Sequence, residues 1–212
     1  MVALFVLGTI LLFVAADAIV VYFRKGEPAV EAGPTLRPER LPAGLFVDAR
    51  HSWVALQPDG TVRVGLDALA RKLVGTIDEV RFVAQGNRLA RGETLLWVRA
   101  GDIEIPVASP VTGTVQATQV PAAGANGTDA AAWLVSLAPE RLGFEIRAWR
   151  VAEEAAAWMK AEYRRLSETL VRTHAATANA MPDGGEPADG FIRLLDPKSR
   201  EEILRAFLTR DA

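Results

Sequence analysis

The chain opens with MVALFVLGTILLFVAADAIVVYF, an apolar run from Met1 to Phe23 in which Asp17 is the only charge. A helix rises about 1.5 Å per residue, so about twenty apolar residues cross the ~30 Å hydrocarbon core of a bilayer. The run therefore predicts a transmembrane helix over residues 1–23. A cleaved secretory signal is the competing reading, and Ala16-Asp17-Ala18 imitates a processing site. Against it, no basic residue precedes the run and apolarity continues past that site to Phe23. Arg24 and Lys25 follow directly, with Arg37 and Arg40 further on. The positive-inside tendency then puts the N-terminus in the periplasm and the C-terminal bulk in the cytoplasm of a bacterial inner membrane, single-pass. Asp17 is costly inside such a span. It either snorkels to nearby headgroups or meets a donor on a partner helix, which makes it a candidate contact to another membrane subunit.

The remaining residues leave little room for chemistry built on metals or nucleic acid. The net charge is −2 and no basic tract stands out, so nucleic acid is not an expected partner. There is no cysteine, which removes disulfides, iron–sulfur clusters and thiolate zinc sites. His51 and His174 are the only histidines and neither belongs to a short ligand motif, so no metal is expected. His51 reads as a structural residue at the start of a strand. Lysine occurs only at positions 25, 72, 160 and 198.

Residues 24–43 hold four prolines and read as an extended linker. From Gly44 the pattern turns to short runs rich in Val, Leu, Trp and Thr, broken by turn signals. Pro58-Asp59-Gly60 predicts a hairpin turn between Trp53–Leu56 and Thr61–Val64. Asp67 suits the N-cap of a short helix over DALARKLV, with Gly75 as its stop. Gly86-Asn87 marks a further turn, Ala122 to Asp129 a loose loop, and Ala132 to Leu137 a last strand. These pieces make a β domain over 44–149. An amphipathic helix over 150–180 follows, its apolar stripe formed by Ala155, Trp158, Met159, Tyr163, Leu166 and Leu170. Residues 181–212 read as a flexible segment, Met181 to Asp189, and a short helix with Ile203, Leu204, Phe207 and Leu208 on one face.

Between Gly44 and Tyr163 the chain resembles the H-protein of the glycine cleavage system. That family is a small hammerhead-like β sandwich, a barrel-sandwich hybrid related to lipoyl and biotinyl carrier domains. The resemblance is carried by His51-Ser52-Trp53-Val54, by Val64-Gly65-Leu66-Asp67 with Ala70 and Leu73-Val74-Gly75, and by Gly86 and Arg91-Gly92-Glu93. Ser109-Pro110-Val111-Thr112-Gly113 and Trp133-Leu134 complete it. The fold it implies is mostly β, with the N-terminal helix and C-terminal helices as additions. In that family a hairpin-tip lysine, seven residues before the Ser-Pro serine, carries lipoate. Here that count falls on Asp102, within Val98-Arg99-Ala100-Gly101-Asp102-Ile103-Glu104, a hairpin with no lysine. An amide link to a cofactor acid needs a primary amine, so the resemblance implies no bound cofactor.

No nucleophile elbow, phosphate-binding loop or paired-carboxylate site appears, and a non-enzymatic role is expected. Asp78-Glu79, Glu153-Glu154 and Glu201-Glu202 read as solvated faces, and the five tryptophans as core or interface. The expected function is a structural or accessory subunit of a bacterial membrane complex, respiratory or photosynthetic. Its partners would be the lipid bilayer and the other subunits. Trp158, Tyr163, Leu166, Ile203 and Phe207 are the expected interface. The alternatives are a regulatory docking module for lipoate or glycine-cleavage enzymes, and a periplasmic efflux adaptor.

Overall fold

The structure, a computed structural model, describes residues 44–120, 132–173 and 187–208. Strands β1 (Phe46–Val47), β2 (Ser52–Leu56) and β3 (Val62–Leu66) run antiparallel in succession. The expected turn joins β2 to β3. Asp59 accepts from the Thr61 amide at 2.9 Å and the Thr61 hydroxyl at 2.7 Å, and Gly60 takes φ +84°. An aspartate that bonds the backbone two residues on closes such a turn without help from the core. Trp53 pairs across the ladder with Gly65, where an added Cβ would lie 2.4 Å from the indole. Gly65 is thus the residue that makes room for Trp53.

Helix α1 (Ala68–Val74) starts and stops where the sequence indicates. Asp67 accepts from the Ala70 amide at 2.8 Å, and Gly75 ends the helix at φ +70°. Strands β4 (Glu79–Phe82), β5 (Arg88–Leu89), β6 (Thr94–Ala100), β7 (Ile103–Ala108), β8 (Gly113–Thr118) and β9 (Val135–Pro139) follow. The strand expected over Ala132–Leu137 begins three residues later and runs to Pro139. Leu134 already donates its amide to Val64 at 2.8 Å, so the chain is tied to β3 before the ladder proper starts. It is also not the last strand. After helix α2 (Leu142–Glu145) and a 3₁₀ turn (Ile146–Ala148), Arg150–Val151 pairs with β1 as β10, so the sheet extends past the expected boundary at 149.

The strands form one seven-stranded sheet, ordered β10-β1-β2-β3-β9-β8-β5, and one three-stranded sheet, β4-β6-β7. Alternating side chains of both enter one core that includes Val54, Val64, Leu96, Val98, Ile105, Val115 and Leu137. Helix α3 (Ala152–Arg172), a 3₁₀ turn (Phe191–Leu194) and helix α4 (Pro197–Phe207) pack onto the same core. Ala155, Met159, Tyr163, Leu166 and Leu170 are buried, as the periodicity requires. Phe191, Ile192, Ile203 and Phe207 are buried as well, each side chain contributing about 1.5–3 kcal/mol of transfer free energy. The end of the expected flexible segment is docked: Pro187 is buried, and Asp189 pairs with Lys72 at 2.9 Å.

The apolar run 1–23, the linker 24–43, the loop centred on Ala122–Asp129 and most of Met181–Asp189 lie outside the described residues. Among the described residues no helix is long and apolar enough to cross a membrane.

Candidate functional site at the hairpin and its ionic support

Strands β6 and β7 form the hairpin that the resemblance singles out, paired from Thr94↔Ala108 to Ala100↔Ile103. Its tip is Gly101-Asp102, with Gly101 at φ +64°. The Gly101 amide donates to Asp78 at 2.6 Å, which ties the tip to the segment entering β4. Asp102 is largely exposed, and its carboxylate accepts from Arg200 of α4 at 3.1 Å. That hydrogen bond, joined by the charges of Arg200 and Arg193, holds the Asp102 carboxyl below the usual carboxylate range. Arg193 also lies against the tip: a Cβ on Gly101 would meet its Cδ at 3.3 Å.

The segment that supplies these arginines is itself fixed to α1. Gly190 donates its amide to Lys72 at 2.9 Å, and a Cβ on Gly75 would sit 2.5 Å from the Gly190 Cα. Two backbones approach that closely only where both residues are glycine. Asp196 caps α4 by accepting from the Lys198 and Ser199 amides, each at 3.1 Å. The hairpin tip is therefore held from one side by the C-terminal segment of the same chain. It presents a carboxylate to solvent and no amine.

A separate ionic cluster centres on His51, the histidine expected to be structural. His51 is 1% exposed and adopts φ +61°. Its Nδ1 donates to Asp67 at 2.8 Å, and its Nε2 lies 3.7 Å from Glu162 of α3. Its ring stacks on Trp158 at 4.9 Å, and Trp158 in turn carries Arg150 at 4.8 Å. Glu162 also binds Arg165 at 3.0 Å, and Arg165 reaches the Ala206 carbonyl at 2.8 Å and the Phe207 ring at 4.7 Å. One histidine thus joins the β1–β2 turn, the cap of α1, helix α3 and, through Arg165, helix α4.

Burial alone would push the His51 imidazole down, but the charges and hydrogen bonds of Asp67 and Glu162 outweigh it and raise it to about 9. A histidine with a raised pKa stabilises fully below its unfolded value of about 6.5. That contribution falls as pH rises and is gone above the folded value of about 9. The difference corresponds to about 3 kcal/mol. Urea unfolding midpoints are expected to drop across this window. His51→Asn, which tolerates the left-handed backbone but does not titrate, is expected to flatten the drop.

The Ser109–Gly113 loop is held by a second buried carboxylate. The Thr112 amide lies 3.1 Å from both oxygens of Glu145, which is 3% exposed. Ser109 donates its hydroxyl to the Val111 carbonyl at 2.6 Å, and Arg91 bonds buried Asp48 at 2.9 Å. A Cβ at Gly113 would collide with the Ala138 carbonyl at 2.4 Å. The Ser-Pro-Val-Thr-Gly motif is therefore a packing device here. Among the described residues no group of His, Asp and Glu side chains could hold a metal ion.

Four of the five expected interface residues are covered by the chain itself. Tyr163, Leu166, Ile203 and Phe207 are buried within the chain's own core, because α3 and α4 cover each other and the sheet. Trp158 is half-buried between His51 and Arg150. Asp17 lies outside the described residues. Glu162, Glu145 and Asp48 were missed, since each sits in a polar stretch and its burial depends on residues distant in sequence.

A family model described as the glycine cleavage H-protein matches residues 45–142. The glycine cleavage system H protein of Methylococcus capsulatus is 33% identical over 107 residues, covering 49% of this chain and 84% of the relative. A probable glycine cleavage system H protein of Pyrococcus abyssi is 28% identical over 125 residues, covering 57% and 93%. The crystal structure of a glycine cleavage system H protein from Mycobacterium marinum matches at 27% identity with TM-score 0.40, covering 46% and 85%. The chain belongs to the glycine cleavage H-protein family. Helices α3 and α4 lie beyond the residues that the family model matches.

Proposed function

We propose that this chain is a non-catalytic, membrane-anchored accessory subunit of a bacterial membrane complex, and that its H-protein-like domain serves protein contacts without carrying a lipoyl arm. The observation that carries this reading is the hairpin tip. Its turn is Gly101-Asp102, its carboxylate is engaged by Arg200, and residues 98–104 contain no lysine. A carrier arm needs an amine at the tip and freedom to travel between sites, and both are at odds with a tip bound to the chain's own C-terminal helix. The anchor rests on the apolar run Met1–Phe23 with Arg24-Lys25 behind it. On this reading the N-terminus is periplasmic, the domain is cytoplasmic, and Asp17 meets a donor on a partner helix.

Purification from native membranes in mild detergent tests the reading. The expected result is a stoichiometric complex with integral membrane subunits, weakened by Asp17→Leu. A chain that runs alone as a monomer would remove the proposal. Recovery with lipoate-handling enzymes in place of membrane subunits would favour a docking module.

A further inference from the structure

The most exposed large apolar side chain among the described residues is Phe144, at 73%. It stands on α2, and Arg141 and Arg147 sit three residues to either side. Residues three apart lie at neighbouring positions around such turns, and all three are exposed, as is Ala148. The opposite arc is fastened to the domain. Glu145 points inward to the Thr112 amide, Trp149 is buried against Phe46 at 5.8 Å, and Leu142 and Ile146 are half-buried. This patch is therefore held out by a rigid base.

Its charge is one-sided. Neither the Arg141 nor the Arg147 guanidinium enters an ion pair among the described residues. Of the neighbouring acids, Glu145 is turned inside and Glu140 is bound to Arg88 at 2.7 Å. Glu153 and Glu154 come only after the chain has crossed β10. An exposed aromatic flanked by two arginines outside any close ion pair matches an anionic lipid surface, where the ring enters the headgroup boundary and the cations stay among phosphates.

We propose that the Arg141–Phe144–Arg147 patch is a membrane foot that seats the domain on an anionic bilayer. The inference rests on the membrane-anchored reading.

The chain has no cysteine, so single labelling sites are clean. Ala148→Cys takes an environment-sensitive fluorophore while leaving Phe144 in place. Pro58→Cys, in the β2–β3 turn, is the control. The strand register puts that turn and α2 at opposite ends of β2 and β10. The full chain is reconstituted with vesicles of equal parts phosphatidylglycerol and phosphatidylcholine, or with phosphatidylcholine alone. Quenching by headgroup spin-labelled lipid is read beside vesicle flotation.

The expected result is several-fold stronger quenching at 148 than at 58 in the anionic vesicles. It is expected to fall to the control level with Phe144→Ser, and with Arg141→Glu and Arg147→Glu together. A chain that floats but shows equal, weak quenching at both sites overturns the foot and leaves the anchor standing. A chain that fails to float on neutral vesicles yet shows the 148 signal on anionic ones supports the foot and removes the anchor. Neither signal overturns both.

Discussion

Asp67→Ala is expected to destabilise the domain by about 3–5 kcal/mol, seen as a large fall in the urea midpoint near neutral pH. The carboxylate performs two tasks at once. One oxygen caps α1 through the Ala70 amide at 2.8 Å, and the other accepts from His51 at 2.8 Å. Loss of a cap alone costs about 1 kcal/mol. The larger part comes from stranding a buried imidazolium whose remaining acid, Glu162, is 3.7 Å away and shared with Arg165. The effect should shrink at alkaline pH, where His51 is neutral in the wild type too. A double variant with His51→Asn should recover much of the loss, because the charge that needed the carboxylate is gone.

Phe207→Ala should cost a comparable amount, about 3–5 kcal/mol, the usual range for emptying a buried aromatic site. Phe207 is 1% exposed, tilts against the His51 ring at 6.2 Å and supports the Arg165 guanidinium at 4.7 Å. The result discriminates between two uses of the same apolar stripe. A stripe that waits for a partner would lose complex formation and leave folding intact. A stripe that closes the chain's own core loses stability whether or not a partner is present. The fold requires the second outcome, visible in equilibrium unfolding of the isolated chain.

What the sequence revealed and what it hid divide along the range of the interactions. The Asp59-Gly60 turn, the Asp67 cap and the Gly75 stop were legible because each is settled within a few residues by side-chain-to-backbone bonds and positive φ. The helical stripe ending at Leu170 was legible because periodicity reports that a face is buried. It does not report what buries it, and for that reason Tyr163 and Phe207 were read as an interface. The His51 cluster was invisible for a related reason. Its members lie on four separate elements, and nothing in a polar stretch such as Lys160-Ala161-Glu162 marks a buried carboxylate. The edge strand Arg150–Val151 escaped because two residues carry no alternation. At the hairpin, the lack of an amine was plain from lysine counting, whereas the docking of Arg200 onto Asp102 depended on a contact across ninety-eight positions.

The proposed role requires that a chain keeping the H-protein domain, with no lysine in residues 98–104, carries no acyl arm. Intact mass measurement of the protein purified from its native cells tests this directly. The expected result is a single species at the mass of the unmodified polypeptide. An added lipoyl or biotinyl mass, on Lys72, Lys198 or any other side chain, would contradict it.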